Sequence, residues 1–99
     1  RKEGRMIQKK FKIDNEEGLH ARPATSLVKA CMQFDCQISL TALHRTVDFK
    51  SVMGVLSLGI FNGTEIEVVC SGIDEKEAMD EISKLICGLN LGKETKGGE

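Results

Sequence analysis

The stretch Gly18-Leu19-His20-Ala21-Arg22-Pro23-Ala24-Thr25 holds the residues best suited to chemistry in this chain. An unprotonated imidazole nitrogen is nucleophilic, and histidine is the side chain whose charge changes near neutral pH. Pro23 suits the first turn of a helix, where its missing N–H costs little. The helix predicted here begins just after His20, so His20 borders unpaired backbone N–H groups and the positive end of the helix dipole. A phosphoryl group on the imidazole would sit among those donors with Arg22 close by, a setting that suits a dianion. The dipole alone is worth roughly 0.3–1 kcal/mol to an exposed anion. A gain that small lets the group be held and also released. The plainer account makes His20 a helix cap and Arg22 a solvated surface charge. Spacing alone favours that account, because His-x-Arg-Pro is short.

The elements that must position these residues follow from apolar periodicity. Residues 6–13 alternate roughly, with Ile7, Phe11 and Ile13 on one parity and Lys9 interrupting it, which predicts a half-buried strand. Residues 14–18 are turn formers and acids. Ala24, Leu27, Val28 and Cys31 recur at helical spacing over residues 21–33. Cys36, Ile38 and Leu40 mark a second strand, and Val47 and Phe49 a short third. Residues 51–58 read as a short apolar helix with Ser51 as its N-cap. Ile66, Val68 and Cys70 mark a fourth strand, with Glu65 and Glu67 turned outward. The last helix starts at Asp74 with Glu77 three residues on, a capping-box arrangement. It runs along Ala78, Ile82, Leu85 and Ile86, and Gly88 is its expected stop. The order β-α-β-β-α-β-α predicts an α+β fold, a two-layer open-faced sandwich. Its four-stranded, mainly antiparallel sheet would be covered on one face by three helices.

Ninety-nine residues, 40% of them apolar, suffice for one modest core and one domain. We place that domain at residues 6–89, with Met6 as a natural start, residues 1–5 as a remnant ahead of it and residues 90–99 as a polar, frayed tail. A net charge of −1 with both signs spread along the chain disfavours a broad nucleic-acid-binding face. No apolar run is long enough for membrane insertion, and the start lacks a signal-peptide pattern. Cys31, Cys36, Cys70 and Cys87 form no C-x-x-C pair and are not spaced with the histidines as zinc ligands are. They read as mostly buried thiols of a cytoplasmic protein, with no metal site.

The segment around His20 resembles the active-site signature of HPr, the phosphocarrier of the bacterial sugar phosphotransferase system. A second segment, Lys50-Ser51-Val52-Met53-Gly54-Val55-Leu56-Ser57-Leu58-Gly59, resembles the regulatory-serine region of HPr from Gram-positive-type bacteria. The similarity spans residues 6–89 and needs no insertion between the motifs. The resemblance implies that His20 takes a phosphoryl group, derived from phosphoenolpyruvate, from enzyme I. It implies delivery to the IIA domains of sugar permeases, with Arg22 on the phosphoryl oxygens and Pro23 fixing the helix start. It further implies that Ser51 is phosphorylated by an ATP-dependent regulatory kinase and dephosphorylated by its phosphorylase, with a transcription regulator as a further partner. Without the resemblance, Ser51 reads only as an N-cap. Val52, Met53 and Leu56 match the family's apolar docking patch, whereas Val55, Leu58 and Ile60 supply the core face. No cofactor is implied, and nothing demands more than a monomer.

One departure stands out. Many relatives join the second and third strands by Asn-Gly, and this chain has Leu43-His44 there. Leucine resists positive φ, so the residues predict a looser hairpin or another turn type, with His44 exposed. The alternative function is an HPr-like regulatory binding module with little role in transport; regulatory paralogues can lack the active-site histidine, and His20 is present. An autonomous enzyme finds no support, since the chain has no phosphate-binding glycine loop and no recognisable pair of catalytic carboxylates.

Overall fold

Apolar parity becomes a five-stranded sheet in the computed structural model, which describes residues 6–95. The strands are β1 (Ile7–Ile13), β2 (Gln37–Ala42), β3 (Arg45–Asp48), β4 (Glu65–Ser71) and β5 (Gly92–Glu94). The helices are α1 (Ala21–Cys31), α2 (Val52–Ser57) and α3 (Glu75–Gly88). The order across the sheet is β3-β2-β4-β1-β5, and every pairing is antiparallel. Phe11, Ile13, Ile38, Leu40, Ile66, Val68 and Cys70 are buried on the face that the helices cover. Ala24, Leu27, Val28 and Cys31 of α1 and Ala78, Met79, Ile82 and Ile86 of α3 close the core from the other side. The open-faced sandwich expected from the sequence is the architecture found. Segment 1–5, read as a remnant, lies outside the described residues.

The sheet has one strand more than the periodicity predicts. The segment read as a polar tail from residue 90 contains β5, which pairs Phe11 with Glu94 and Ile13 with Gly92. No side-chain alternation marks this strand, because Gly-Lys-Glu carries no apolar parity; backbone pairing to β1 makes it. A Cβ on Gly92 would lie 2.1 Å from the Lys12 carbonyl oxygen, so only glycine permits this approach. Lys9 and Glu94 add an exposed ion pair at 3.6 Å.

The end of α3 delivers the chain to that strand. Gly88 is still helical, and Asn90 takes the left-handed position at φ 57°. Asn90 N–H donates to Cys87 and Leu91 N–H to Ile86, a Schellman closure with buried Leu91 against buried Ile86. The stop expected at Gly88 therefore falls two residues later, where the apolar anchor Leu91 locks the turn.

The hairpin expected to be loose is tight. Ala42 pairs with Arg45, and only Leu43 and His44 connect them, at φ 52° and 68°. Two-residue hairpin loops need this left-handed backbone to match the strand twist. The register of β2 and β3, with a 2.7 Å hydrogen bond between the Thr41 and Thr46 hydroxyls, imposes it against side-chain preference. Each non-glycine residue held there costs about 1 kcal/mol. The double substitution Leu43→Asn, His44→Gly is thus expected to raise stability by about 1–2 kcal/mol. Urea unfolding would read this as a higher midpoint at unchanged slope; an unchanged or lower midpoint would contradict it.

Asp74 also departs from expectation. Its side chain makes no cap bond to α3. Its two oxygens instead accept the N–H groups of Asp35 and Cys36, both at 2.8 Å, and tie α3 to the start of β2. Glu75, not Glu77, reaches back, accepting the Gly72 N–H at 2.9 Å. Burial opposes ionisation of Asp74, but the donors from Asp35 and Cys36 overcome it and hold the carboxyl below its ordinary value of 3.8. A depressed folded-state value contributes stability above the unfolded value, lost as pH falls through the folded value. Asp74→Asn is expected to destabilise at pH 7, with the deficit against wild type shrinking below the ordinary carboxylate value of 3.8. Urea unfolding at both ends of that range checks it, and a deficit independent of pH would refute the assignment.

Candidate functional site

The loop before α1 is held by backbone contacts on both sides. Leu19, buried in the core, donates its N–H to the Ile60 carbonyl at 3.1 Å. Gly18 sits at φ 66°, and a Cβ there would come within 2.3 Å of the Ile60 oxygen. Only glycine satisfies both demands. Ile13 and Gly63 pin the other end, through Ile13 N–H to Thr64 and Gly63 N–H to Ile13. The turn after α2 thus buttresses the loop that ends at His20.

His20 is the N-cap residue of α1, with extended backbone at φ −83° and ψ −171°, and its side chain makes no cap bond. Its carbonyl takes the first helical bond, from Ala24 N–H at 3.0 Å. The imidazole is therefore not consumed in capping, contrary to the plainer account of the sequence. Pro23 is buried in the first turn and has no N–H, so the helix terminus presents the N–H groups of Ala21 and Arg22. The first turn carries no acid to compete for an anion. Arg22 is exposed and makes no ion pair with a described carboxylate. An exposed imidazole beside two N–H donors and an arginine can take an anionic group and hold it weakly.

The imidazole does have one partner that the sequence reading passes over. Nε2 lies 3.1 Å from Glu17 Oε1. Glu17 had served only as a turn former, and the signal for more was an acid three residues before His20.

The second motif lies on α2, which packs against α1. Ser51 is its N-cap, and its Oγ accepts the Gly54 N–H at 2.9 Å, as its position predicts. Arg45 donates to the Ser57 carbonyl at the other end of α2, at 3.0 Å. Met53 is 78% exposed and Leu56 is also exposed, whereas Val52 is half-buried against the core. Val55, Leu58 and Ile60 are buried, as expected. Phe61, 59% exposed beside the Gly18 backbone, is a further apolar surface residue that the sequence reading leaves out.

Three of the four cysteines, Cys31, Cys36 and Cys70, are buried. Burial pushes the Cys31 and Cys36 thiols up to about 12, with Cys70 and Asp74 respectively adding to it, and burial pushes Cys70 to about 11. They stay protonated, and a protonated thiol is neither nucleophile nor metal ligand. Cys87 is exposed.

A family model described as the PTS HPr component phosphorylation site matches residues 7–87. The chain belongs to the HPr family. Among solved structures it is similar to the histidine-containing phosphocarrier protein of a mycoplasma, at 31% identity and a TM-score of 0.85, covering 87% of this chain and 98% of that one. It is similar to the phosphocarrier protein HPr of Bacillus anthracis, at 34% identity and a TM-score of 0.75, covering 81% and 95%. The Bacillus subtilis catabolite-repression protein Crh matches at 32% identity and a TM-score of 0.66, covering 83% and 94%. As an HPr protein the chain is a phosphocarrier of the phosphotransferase system, a carrier and not an autonomous enzyme. The family as a whole works with enzyme I and IIA partners. No helix among the described residues is long and apolar enough to cross a membrane.

Proposed function

We propose that His20 is the phosphoryl carrier, taking the group from enzyme I and passing it to the IIA domains of sugar permeases in the cytoplasm. The observation that supports this most is the exposed His20 ring, left out of the helix cap at the open N-terminus of α1. In the first transfer an imidazole nitrogen bonds to phosphorus while the bond to the donor breaks, and the second transfer reverses these roles. Little covalent chemistry is asked of the protein. Placement and charge compensation dominate, with the Ala21 and Arg22 N–H groups and the Arg22 guanidinium facing the phosphoryl oxygens and Pro23 setting where the helix begins.

Ser51 is the regulatory position in this reading, modified by a serine kinase and restored by its phosphorylase. Its half-exposed hydroxyl at the start of α2 accepts only a local N–H, so a phosphate there leaves the fold intact. The added charge would face partners that approach Met53 and Leu56, which we take, with half-buried Val52, as the apolar docking patch. A transcription regulator that reads the phosphoserine completes the set of partners. The likeness to Crh favours a second reading, a regulatory binding module with little transport role, and the available His20 counts against it.

The test is incubation with phosphoenolpyruvate and active enzyme I, followed by mass spectrometry. A single acid-labile phosphoryl group on His20 supports the carrier, and its absence would leave the regulatory module. Adding kinase and ATP in the same assay should give a second, acid-stable group that is lost in Ser51→Ala.

A further inference from the structure

The six residues of α2 are too few to hold a helix in water by themselves, and its last turn contains no basic residue to face the negative end of the dipole. Strand β3 makes up for both. Successive side chains on a strand point to opposite faces, so Arg45 shares the helix-facing side with Val47, which packs against the core. The Val47 Cβ lies 3.4 Å from the place that a Cβ on Gly54 would take, so β3 and α2 meet there in contact. One helical turn further on, Arg45 reaches Ser57. Its guanidinium donates to the Ser57 carbonyl at 3.0 Å and to the Ser57 hydroxyl at 3.4 Å, and that hydroxyl donates to the Gly54 carbonyl at 2.7 Å. A carbonyl of the last turn, which a helix leaves without an internal partner, is thereby satisfied. The tight hairpin sets this reach, because the Leu43-His44 turn pairs Arg45 with Ala42 and fixes where the side chain starts.

We propose that Arg45 is a positioning residue for the docking of the carrier: by holding the last turn of α2 it sets the orientation in which Met53 and Leu56 meet enzyme I and the IIA domains. This rests on the reading of His20 as the carrier and of Met53 and Leu56 as docking residues. The two hydrogen bonds of Arg45 end on α2, whereas the reacting ring belongs to the N-cap of α1. Loss of the clamp therefore weakens the encounter and leaves the transfer step alone.

The rate at which enzyme I and phosphoenolpyruvate label this protein, followed against its concentration, separates docking from transfer. Arg45→Met should raise KM about two- to fivefold, the range expected of a cation at a helix C-terminus, with kcat unchanged. Arg45→Lys, which keeps a charged donor, should stay nearer wild type. Met53→Ala should raise KM as well, and the double variant should raise it by less than the product of the two single effects, because both act on one patch. In Arg45→Met, amide exchange should quicken at Leu58 and Gly59, whose N–H groups close the last turn of α2, while the α1 amides keep their rates. An unchanged KM, a fall in kcat alone or fully multiplicative effects would overturn the proposal. Normal labelling of the wild type keeps these outcomes apart from the carrier reading, which falls only if wild-type His20 takes no group from active enzyme I.

Discussion

His20→Ala is expected to take up no phosphoryl group from phosphoenolpyruvate and enzyme I under conditions that fully label the wild type. The side chain is exposed, makes no cap bond, and holds one exposed contact to Glu17. Its removal should therefore change stability by no more than about 0.5 kcal/mol. The α1 terminus is set without it, by Pro23, by the Gly18 turn, and by a bond from Ala24 N–H to the backbone carbonyl of residue 20. A folded variant that cannot be labelled then reports the loss of a nucleophile. Circular dichroism and urea unfolding on the same sample check the fold. His44 is the informative control: it is exposed at the hairpin tip, in a left-handed position. His44→Ala should label as wild type does. Acid-labile labelling that survives His20→Ala and disappears in His44→Ala would move the carrier site to the hairpin.

The second large effect is on stability. Phe11 is fully buried in β1, opposite Ile66 on β4 and Glu94 on β5. Phe11→Ala should cost about 3–5 kcal/mol, since a cavity remains where the ring was and the sheet cannot collapse to fill it. Against the roughly 5–15 kcal/mol that holds a domain of this size together, that is a large fraction. The same strand leads into the loop that ends at His20, so labelling should fall in step with the unfolded fraction. Urea unfolding measures the loss, and a cost below about 1 kcal/mol would mean that Phe11 does not anchor the core.

Much of the fold and of the site is legible in the chain because it depends on local, periodic information. Parity told which side of each strand is buried, and Ile38, Leu40, Ile66 and Val68 lie where it directs them. Helical spacing did the same for Ala24, Leu27, Val28 and Cys31. Pro23 at the start of α1 and Ser51 as N-cap of α2 act within one turn of themselves, so residue type and position suffice. That is also why the placement of His20 at a helix terminus can be read without a structure.

Tertiary structure decided what depends on backbone geometry or on distant partners. Strand β5 is built by backbone pairing to β1, and Gly-Lys-Glu holds no pattern that announces it. Leu43 and His44 are driven into the left-handed region by the register of the strands on either side, against their own preference. The Asp74 carboxylate finds the N–H groups of residues 38 and 39 positions earlier instead of its own helix. At the site, a turn on the far side of α2 stiffens the loop, and the bend at Gly18 brings Glu17 to one nitrogen of His20. Residue types alone place an imidazole at a helix end. Which side chain faces that ring follows from the fold, because it depends on where the backbone puts both partners.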